Sequence, residues 1–138
     1  EAKTKDANIF YVKSVPHDWL FPHMAGAVHH GGAGTTATSL RHALPTLVVP
    51  FGGDQPFWAE RVYAAGCGPK AIPRDKLTAE NLAEGLRALI SNPEYTRNAA
   101  CIGETLRNEH GCANAADLIE KAVWDWENGN LAQDGMNI

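Results

Sequence analysis

The sequence is short of cysteine, of long apolar runs and of clustered basic residues, and each shortage removes a class of protein. Cysteine occurs three times in 138 residues, at Cys67, Cys101 and Cys112. An odd, scattered set without a CxxC pair is no disulfide framework, so the thiols read as core or helix-face residues of a protein in a reducing cytoplasm. No apolar run approaches the roughly 20 residues that span a membrane. Lys and Arg number 12 against 16 Asp and Glu, a net charge of −4, and no basic cluster occurs. That argues against nucleic acid as a partner. No Gly-Lys-Ser/Thr is present, so there is no Walker A loop. The opening, Glu1 to Asp6, is charged and unlike a signal peptide. It lacks Met and leads almost directly into an apolar run, which suggests a piece of a longer protein.

What is present is one domain's length with 44% apolar and 20% charged residues, the balance of a globular chain. Ile9-Phe10-Tyr11-Val12 is rich in β-formers and predicts a buried strand, ended by Val15-Pro16. Asp18 has the place of an N-cap for a short helical turn over 19–24. Ala27-Val28-His29-His30 predicts a second strand. It runs into Gly31-Gly32-Ala33-Gly34-Thr35-Thr36 and a helix continuing over 36–42, ended by Pro45. Thr46-Leu47-Val48-Val49 predicts a third strand, followed by the loop 50–56 and a helix over 57–65. Residues 69–72 form a weak fourth strand or an extended segment.

Three helices close the chain. Thr78 caps one running to about 91, with Leu82, Leu86, Leu89 and Ile90 at amphipathic spacing. Asn92-Pro93 opens the next, to about 109. The last covers 113–127, with Leu118, Ile119, Ala122 and Val123 facing inward and Trp124 and Trp126 packing it. Residues 128–138 lack periodicity and read as a flexible tail behind a domain over 1–127. The alternation predicts an α/β fold, a parallel Rossmann-like sheet with flanking helices.

Open parallel sheets bind ligands at the carboxyl ends of their strands. Three segments end there: 14–17, 30–36 and 51–55. The glycines let the backbone approach a ligand, and the helix start that follows is an anion site. Two readings stay open. Gly32-x-Gly34-x-x-Ala37, with Asp54 20 residues after Gly34, satisfies a dinucleotide fingerprint. Alternatively the helix start takes the diphosphate of a nucleotide sugar, and Asp54-Gln55 bonds the sugar hydroxyls. Neighbouring strand residues face opposite ways, so one of His29 and His30 faces the ligand. His30, beside the turn, is the candidate, and His29 reads as packed and hydrogen-bonded. Two adjacent histidines with no third ligand do not make a metal site. Asp54 has a second reading as a helix cap, and Trp19, Phe21, Phe57 and Trp58 read as core residues.

Three blocks carry a resemblance. Val15-Pro16-His17-Asp18-Trp19-Leu20-Phe21-Pro22, the run from His29 to Thr36, and Pro50-Phe51-Gly52-Gly53-Asp54-Gln55-Pro56-Phe57-Trp58 together resemble UDP-glucose:sterol glucosyltransferases. More broadly they resemble the UDP-glycosyltransferase superfamily of GT-B fold, over roughly residues 9–125. Macrolide and glycopeptide glycosyltransferases share the middle block, so it leaves the acceptor open. The resemblance implies the donor-binding, C-terminal half of such an enzyme, incomplete on its N-terminal side. Val15 and His17 would line the uracil pocket, and Ser14 stands where a plant branch has a stacking Trp. His30, Ala33, Gly34 and Thr35 would hold the diphosphate, with Thr36 nearby, and Asp54 and Gln55 the glucose. It implies inverting glucose transfer from UDP-glucose to a sterol or other lipid hydroxyl without a metal or other cofactor. The base and sterol pocket would lie in an N-terminal domain, so this chain alone would be inactive. A cytoplasmic protein, with peripheral membrane association at full length, is the matching expectation. The family's sheet has two earlier strands. Residues 9–12 are therefore expected to pair with the second strand or with another chain. Readings of a different class are the NAD-binding half of an oxidoreductase and a non-catalytic nucleotide-binding module.

Overall fold

The structure is a computed structural model and describes residues 6–129. Its elements in order are α1 (His17–Leu20), a 3-10 turn (Phe21–His23), β1 (Ala27–His29), α2 (Ala33–Arg41), β2 (Thr46–Val48) and α3 (Gln55–Ala64). A second 3-10 turn (Arg74–Lys76) precedes α4 (Ala79–Ser91), α5 (Pro93–Asn108) and α6 (Gly111–Glu127). The chain divides into two compact units, one ending at Leu106 and the other starting at Arg107.

In the first unit β1 and β2 pair in parallel, with Ala27 opposite Thr46, Val28 opposite Leu47 and His29 opposite Val48. The α/β class expected from the alternation is the class observed. Bonds from Ala27 N–H to Pro45 O and from Val49 N–H to His29 O, both 2.9 Å, extend the ladder at each end. On its other side β2 donates from Thr46 N–H to Cys67 O (2.9 Å) and accepts at Val48 O from Ile72 N–H (3.0 Å). Residues 67–72 thus flank β2 without forming a strand, and the chain bends over 67–69. Pro69 has no N–H to offer the ladder there.

With neighbours on both sides, β2 is fully buried, and Val48 joins Leu40 of α2, Ala59 and Val62 of α3, Cys67 and Ala99 of α5 in one core cluster. Burial pushes the Cys67 thiol up to about 11, and the field of Cys101 adds to it. α4 packs on β2 where Gly85 allows a close approach; a Cβ there would stand 2.8 Å from Leu47 Cδ2. Both expected caps form. Thr78 Oγ1 accepts from Asn81 N–H and Asn81 Oδ1 accepts from Thr78 N–H, a reciprocal capping box. Asn92 Oδ1 accepts from Glu94 N–H at 3.1 Å, with Pro93 as the first residue of α5. Of α4's apolar residues Leu89 is buried, whereas Leu86 and Ile90 stay exposed.

Several expectations are corrected. Residues 9–12 form no strand; they are exposed, Phe10 by 91%, and β1 pairs with β2 alone. An apolar run becomes a strand only where a partner's N–H and C=O groups meet it, and none does among the described residues. Asp18 does not cap α1, whose N-cap position holds Pro16; its carboxylate meets His42 Nε2 at 3.1 Å instead. α2 starts at Ala33, inside the glycine run and ahead of Thr35, because the turn leads directly into helical backbone. In the second unit α6 buries no residue; Leu118, Ile119, Ala122, Val123, Trp124 and Trp126 are exposed. The expected tail lies, beyond Gly129, outside the described residues.

Gly68 is the tightest point of this packing: a Cβ would stand 1.8 Å from Thr46 O, a backbone atom of the buried strand. Gly68→Ala is expected to destabilise the chain by about 3 kcal/mol, because backbone cannot step aside as a side chain can. Gly52→Ala, where a Cβ meets open space, is expected to change stability by less than about 0.5 kcal/mol. Urea unfolding of both variants checks the contrast.

Candidate functional site

The site is built at the carboxyl end of β1. Gly31 turns the chain with φ +88°, the left-handed region that favours glycine. A Cβ there would also strike Val48 Cγ1 at 2.5 Å and come within 3.3 Å of Gln55 O. Only glycine therefore lets the turn lie against β2 and the loop 51–55. This closeness brings the second and third sequence blocks together. Gly34 faces open space, with no atom within 4 Å of where its Cβ would stand.

α2 opens from Gly32 without a side-chain cap and without an acidic residue in its first turn. The first N–H groups of a helix have no intrahelical acceptor, and here no side chain takes the place of one. Thr36 N–H is the first to be engaged, donating to Gly32 O at 2.9 Å. Ala33, Gly34 and Thr35 thus present a bare helix start with its partial positive charge.

The two histidines part company as the strand alternation requires. His29 turns inward. Its Nδ1 accepts from Gly31 N–H at 3.0 Å, so the proton of the neutral ring sits on Nε2. Nε2 is 2.9 Å from Ser39 Oγ and donates to it, and the Ser39 hydroxyl donates to Thr35 O at 2.6 Å. This chain ties strand, turn and helix together. Burial, then the fields of His30 and His17, push the His29 ring down to about 4. His30 is exposed, with its ring over Gly32: a Cβ on Gly32 would stand 2.5 Å from His30 Nε2. His17, the first residue of α1, stacks on Phe21 of the following 3-10 turn at 4.6 Å, and its field reaches His29. Val15, just before α1, is half-buried.

Thr36 stands apart from the other turn residues. Its side chain is buried, and Oγ1 has no hydrogen-bond partner among the described residues. It faces a cavity of about 550 Å³ between α2, α3 and α5, walled by Leu40, Trp58, Val62, Ile102 and Leu106. That cavity is the larger of two described here, but its wall is apolar and offers little to a phosphate. The other, about 350 Å³, adjoins the loop after β2 and is lined by Pro50, Phe51, Arg74 and Asp75.

In that loop Gln55 Oε1 accepts from Phe51 N–H (2.8 Å) and Gly52 N–H (3.3 Å), which leaves the amide NH₂ as the donor facing away. Asp54 is exposed and makes no side-chain cap bond to α3; its Oδ2 accepts from Trp58 Nε1–H at 2.9 Å. Of the four aromatics expected in the core, Phe21 is buried and Trp58 half-buried, whereas Trp19 and Phe57 are exposed. Two features here have no signal in the sequence: the bond from Trp58 Nε1–H to Asp54, and Arg74, a lone basic residue after Pro73 whose guanidinium lies 4.8 Å from the Phe51 ring centroid. Among the described residues no group of three His, Cys, Asp or Glu gathers to hold a metal ion.

Over residues 3–120 the chain matches the family described as erythromycin biosynthesis protein CIII-like, C-terminal domain. Sterol 3-beta-glucosyltransferase UGT80B1 of Arabidopsis thaliana is 46% identical over 114 residues, 83% of this chain and 18% of that protein. The sterol 3-beta-glucosyltransferase of Pichia angusta is 43% identical over 111 residues, 80% of this chain and 9% of that protein. The chain thus spans less than a fifth of the length of these relatives. The glycosyltransferase VinC, solved in complex with dTDP, superposes with a TM-score of 0.70 at 33% identity, over 75% of this chain and 26% of that one. Spinosyn forosaminyltransferase SpnP shares the fold, with a TM-score of 0.80 at 23% identity over 89% of this chain and 33% of that one.

The buried neutral His29 makes stability depend on pH. Its folded value, about 4, lies below the ordinary 6.5. Between those values the unfolded chain binds a proton that the folded chain refuses, so stability rises with pH there. The contribution is complete above pH 6.5 and is lost as pH falls towards 4. For a half-buried ring it amounts to about 1–2 kcal/mol. His29→Asn, which keeps an acceptor for Gly31 N–H but cannot titrate, is expected to flatten the urea midpoint against pH in that window.

Proposed function

The chain belongs to the erythromycin biosynthesis protein CIII-like C-terminal domain family, and from that membership we propose that it is the donor-binding part of an inverting glycosyltransferase. The proposed reaction moves glucose from UDP-glucose to a sterol or other lipid hydroxyl. One observation carries the reading: the uncapped, acid-free start of α2 lies beside a loop that exposes a carboxylate and an oriented amide.

In this reading Ala33, Gly34 and Thr35 hold the diphosphate by their N–H groups and His30 donates to a phosphate oxygen. Thr36 supports the turn from beneath. Asp54 and Gln55 take the glucose hydroxyls, the first as acceptor and the second as donor. Val15 and His17, at the end of the first block, line the base pocket. As the acceptor oxygen bonds to the anomeric carbon, the bond to the diphosphate breaks and its electron pair leaves with UDP. The helix start and His30 then face the growing negative charge, already oriented before it forms. The base that takes the acceptor's proton and the lipid pocket are assigned to the part of the relatives' length that this chain does not match. Cytoplasmic location and contact with a membrane surface are proposed for such a whole protein on the chemistry of its acceptor.

A macrolide- or glycopeptide-type transferase is the second reading, supported by the erythromycin-biosynthesis family whose model the chain matches. The sterol branch is preferred on the higher identity of its members.

Calorimetric titration of the chain with UDP, UDP-glucose and NAD tests the proposal. His30→Ala is expected to weaken UDP and UDP-glucose alike, by about five- to tenfold. Asp54→Ala is expected to weaken UDP-glucose by about tenfold and leave UDP unchanged. NAD binding that disappears with Asp54→Ala would instead establish the dinucleotide reading, and absence of UDP binding would contradict the proposed site.

A further inference from the structure

We propose that Trp58 is a positioning residue for the donor sugar, acting through Asp54; the inference rests on the reading of Asp54 as the acceptor for a sugar hydroxyl. An aspartate just ahead of a helix ordinarily turns its carboxylate onto the first free N–H groups. Asp54 does not. Its backbone is already helical, with φ −80° and ψ −6°, and its side chain makes no capping bond. Pro56, two residues on, has no N–H to donate one. The carboxylate instead runs along the helix to the residue four positions later, where Trp58 Nε1–H donates to Oδ2 at 2.9 Å.

The indole suits this task. Its N–H is a donor only, so it can orient a carboxylate and cannot compete with it for a sugar's hydroxyl proton. Its body is half-buried and forms part of the apolar wall between α2, α3 and α5, alongside Val62 and Leu40. The Phe57 ring meets it edge to face at 5.2 Å. The donor on the rim is therefore set by packing rather than by a mobile side chain. One carboxylate oxygen is held, and the exposed carboxylate is turned in a fixed direction at the strand's carboxyl edge. Gln55, the next residue, is fixed in the same manner by Phe51 and Gly52 N–H. Both candidate sugar contacts are thus oriented before any ligand arrives, the condition under which binding loses least to ordering.

The test uses the 138-residue chain as wild type, Trp58→Phe, Asp54→Ala and the double variant, titrated with UDP and with UDP-glucose. Trp58→Phe keeps an aromatic ring in the wall and removes the N–H. It is expected to weaken UDP-glucose by about three- to tenfold with UDP unchanged, and to add nothing in the Asp54→Ala background. In ligand-free spectra the indole N–H resonance that Trp58→Phe removes is expected to move upfield in Asp54→Ala. This second readout needs only a change at an exposed residue. A Trp58→Phe that leaves the UDP-glucose to UDP ratio intact while Asp54→Ala alters it would overturn the proposal and spare the function. An unmoved indole resonance would overturn it as well. Failure of UDP to bind would take down the function and this inference together.

Discussion

The site depends on the missing side chain of Gly31. Positive φ alone would make a larger residue costly there, but the stronger constraint is space: Val48 on one side and the backbone of Gln55 on the other leave no room for a Cβ. Through that gap the turn after β1 settles against β2 and against the loop that carries Asp54 and Gln55. The same turn starts α2 at once and leaves its first N–H groups without a side-chain acceptor. A close approach, a bare helix start and a polar loop thus follow from a single position.

His29 and His30 divide the remaining work by strand alternation. One ring faces inward and joins strand, turn and helix through Gly31 N–H, Ser39 and Thr35 O. Burial and two neighbouring imidazoles keep it neutral. The other is exposed and lies over Gly32, next to the helix start. An inward ring that stays neutral does not repel a proton-donating ring beside it, so the fixed and the available imidazole coexist at adjacent positions.

Features that local chemistry decides could be read from the sequence. Thr78 and Asn92 cap their helices because the partners lie within three residues, and β2 is buried as its solid apolar run requires. The fold class, the three blocks and the inward turn of His29 belong with them. What failed depended on distant surfaces. Residues 9–12 have strand composition but no edge to pair with among the described residues. Asp18 lost its expected capping role to His42, 24 residues away. Trp58 lies between the two cases. Its ring does pack in the apolar wall, as a core tryptophan should, but its N–H reaches Asp54, and only geometry shows which carboxylate it meets.

The central claim, that the start of α2 is the anion site, is tested most directly by backbone amide resonances of the chain during titration with UDP. The account predicts that the largest shifts fall on Ala33, Gly34 and Thr35, with smaller ones at Gly31 and Gly32 and little change along the apolar wall formed by Leu40, Val62 and Ile102. Shifts centred on that wall, or an undisturbed first turn of α2 while UDP binds elsewhere, would contradict it.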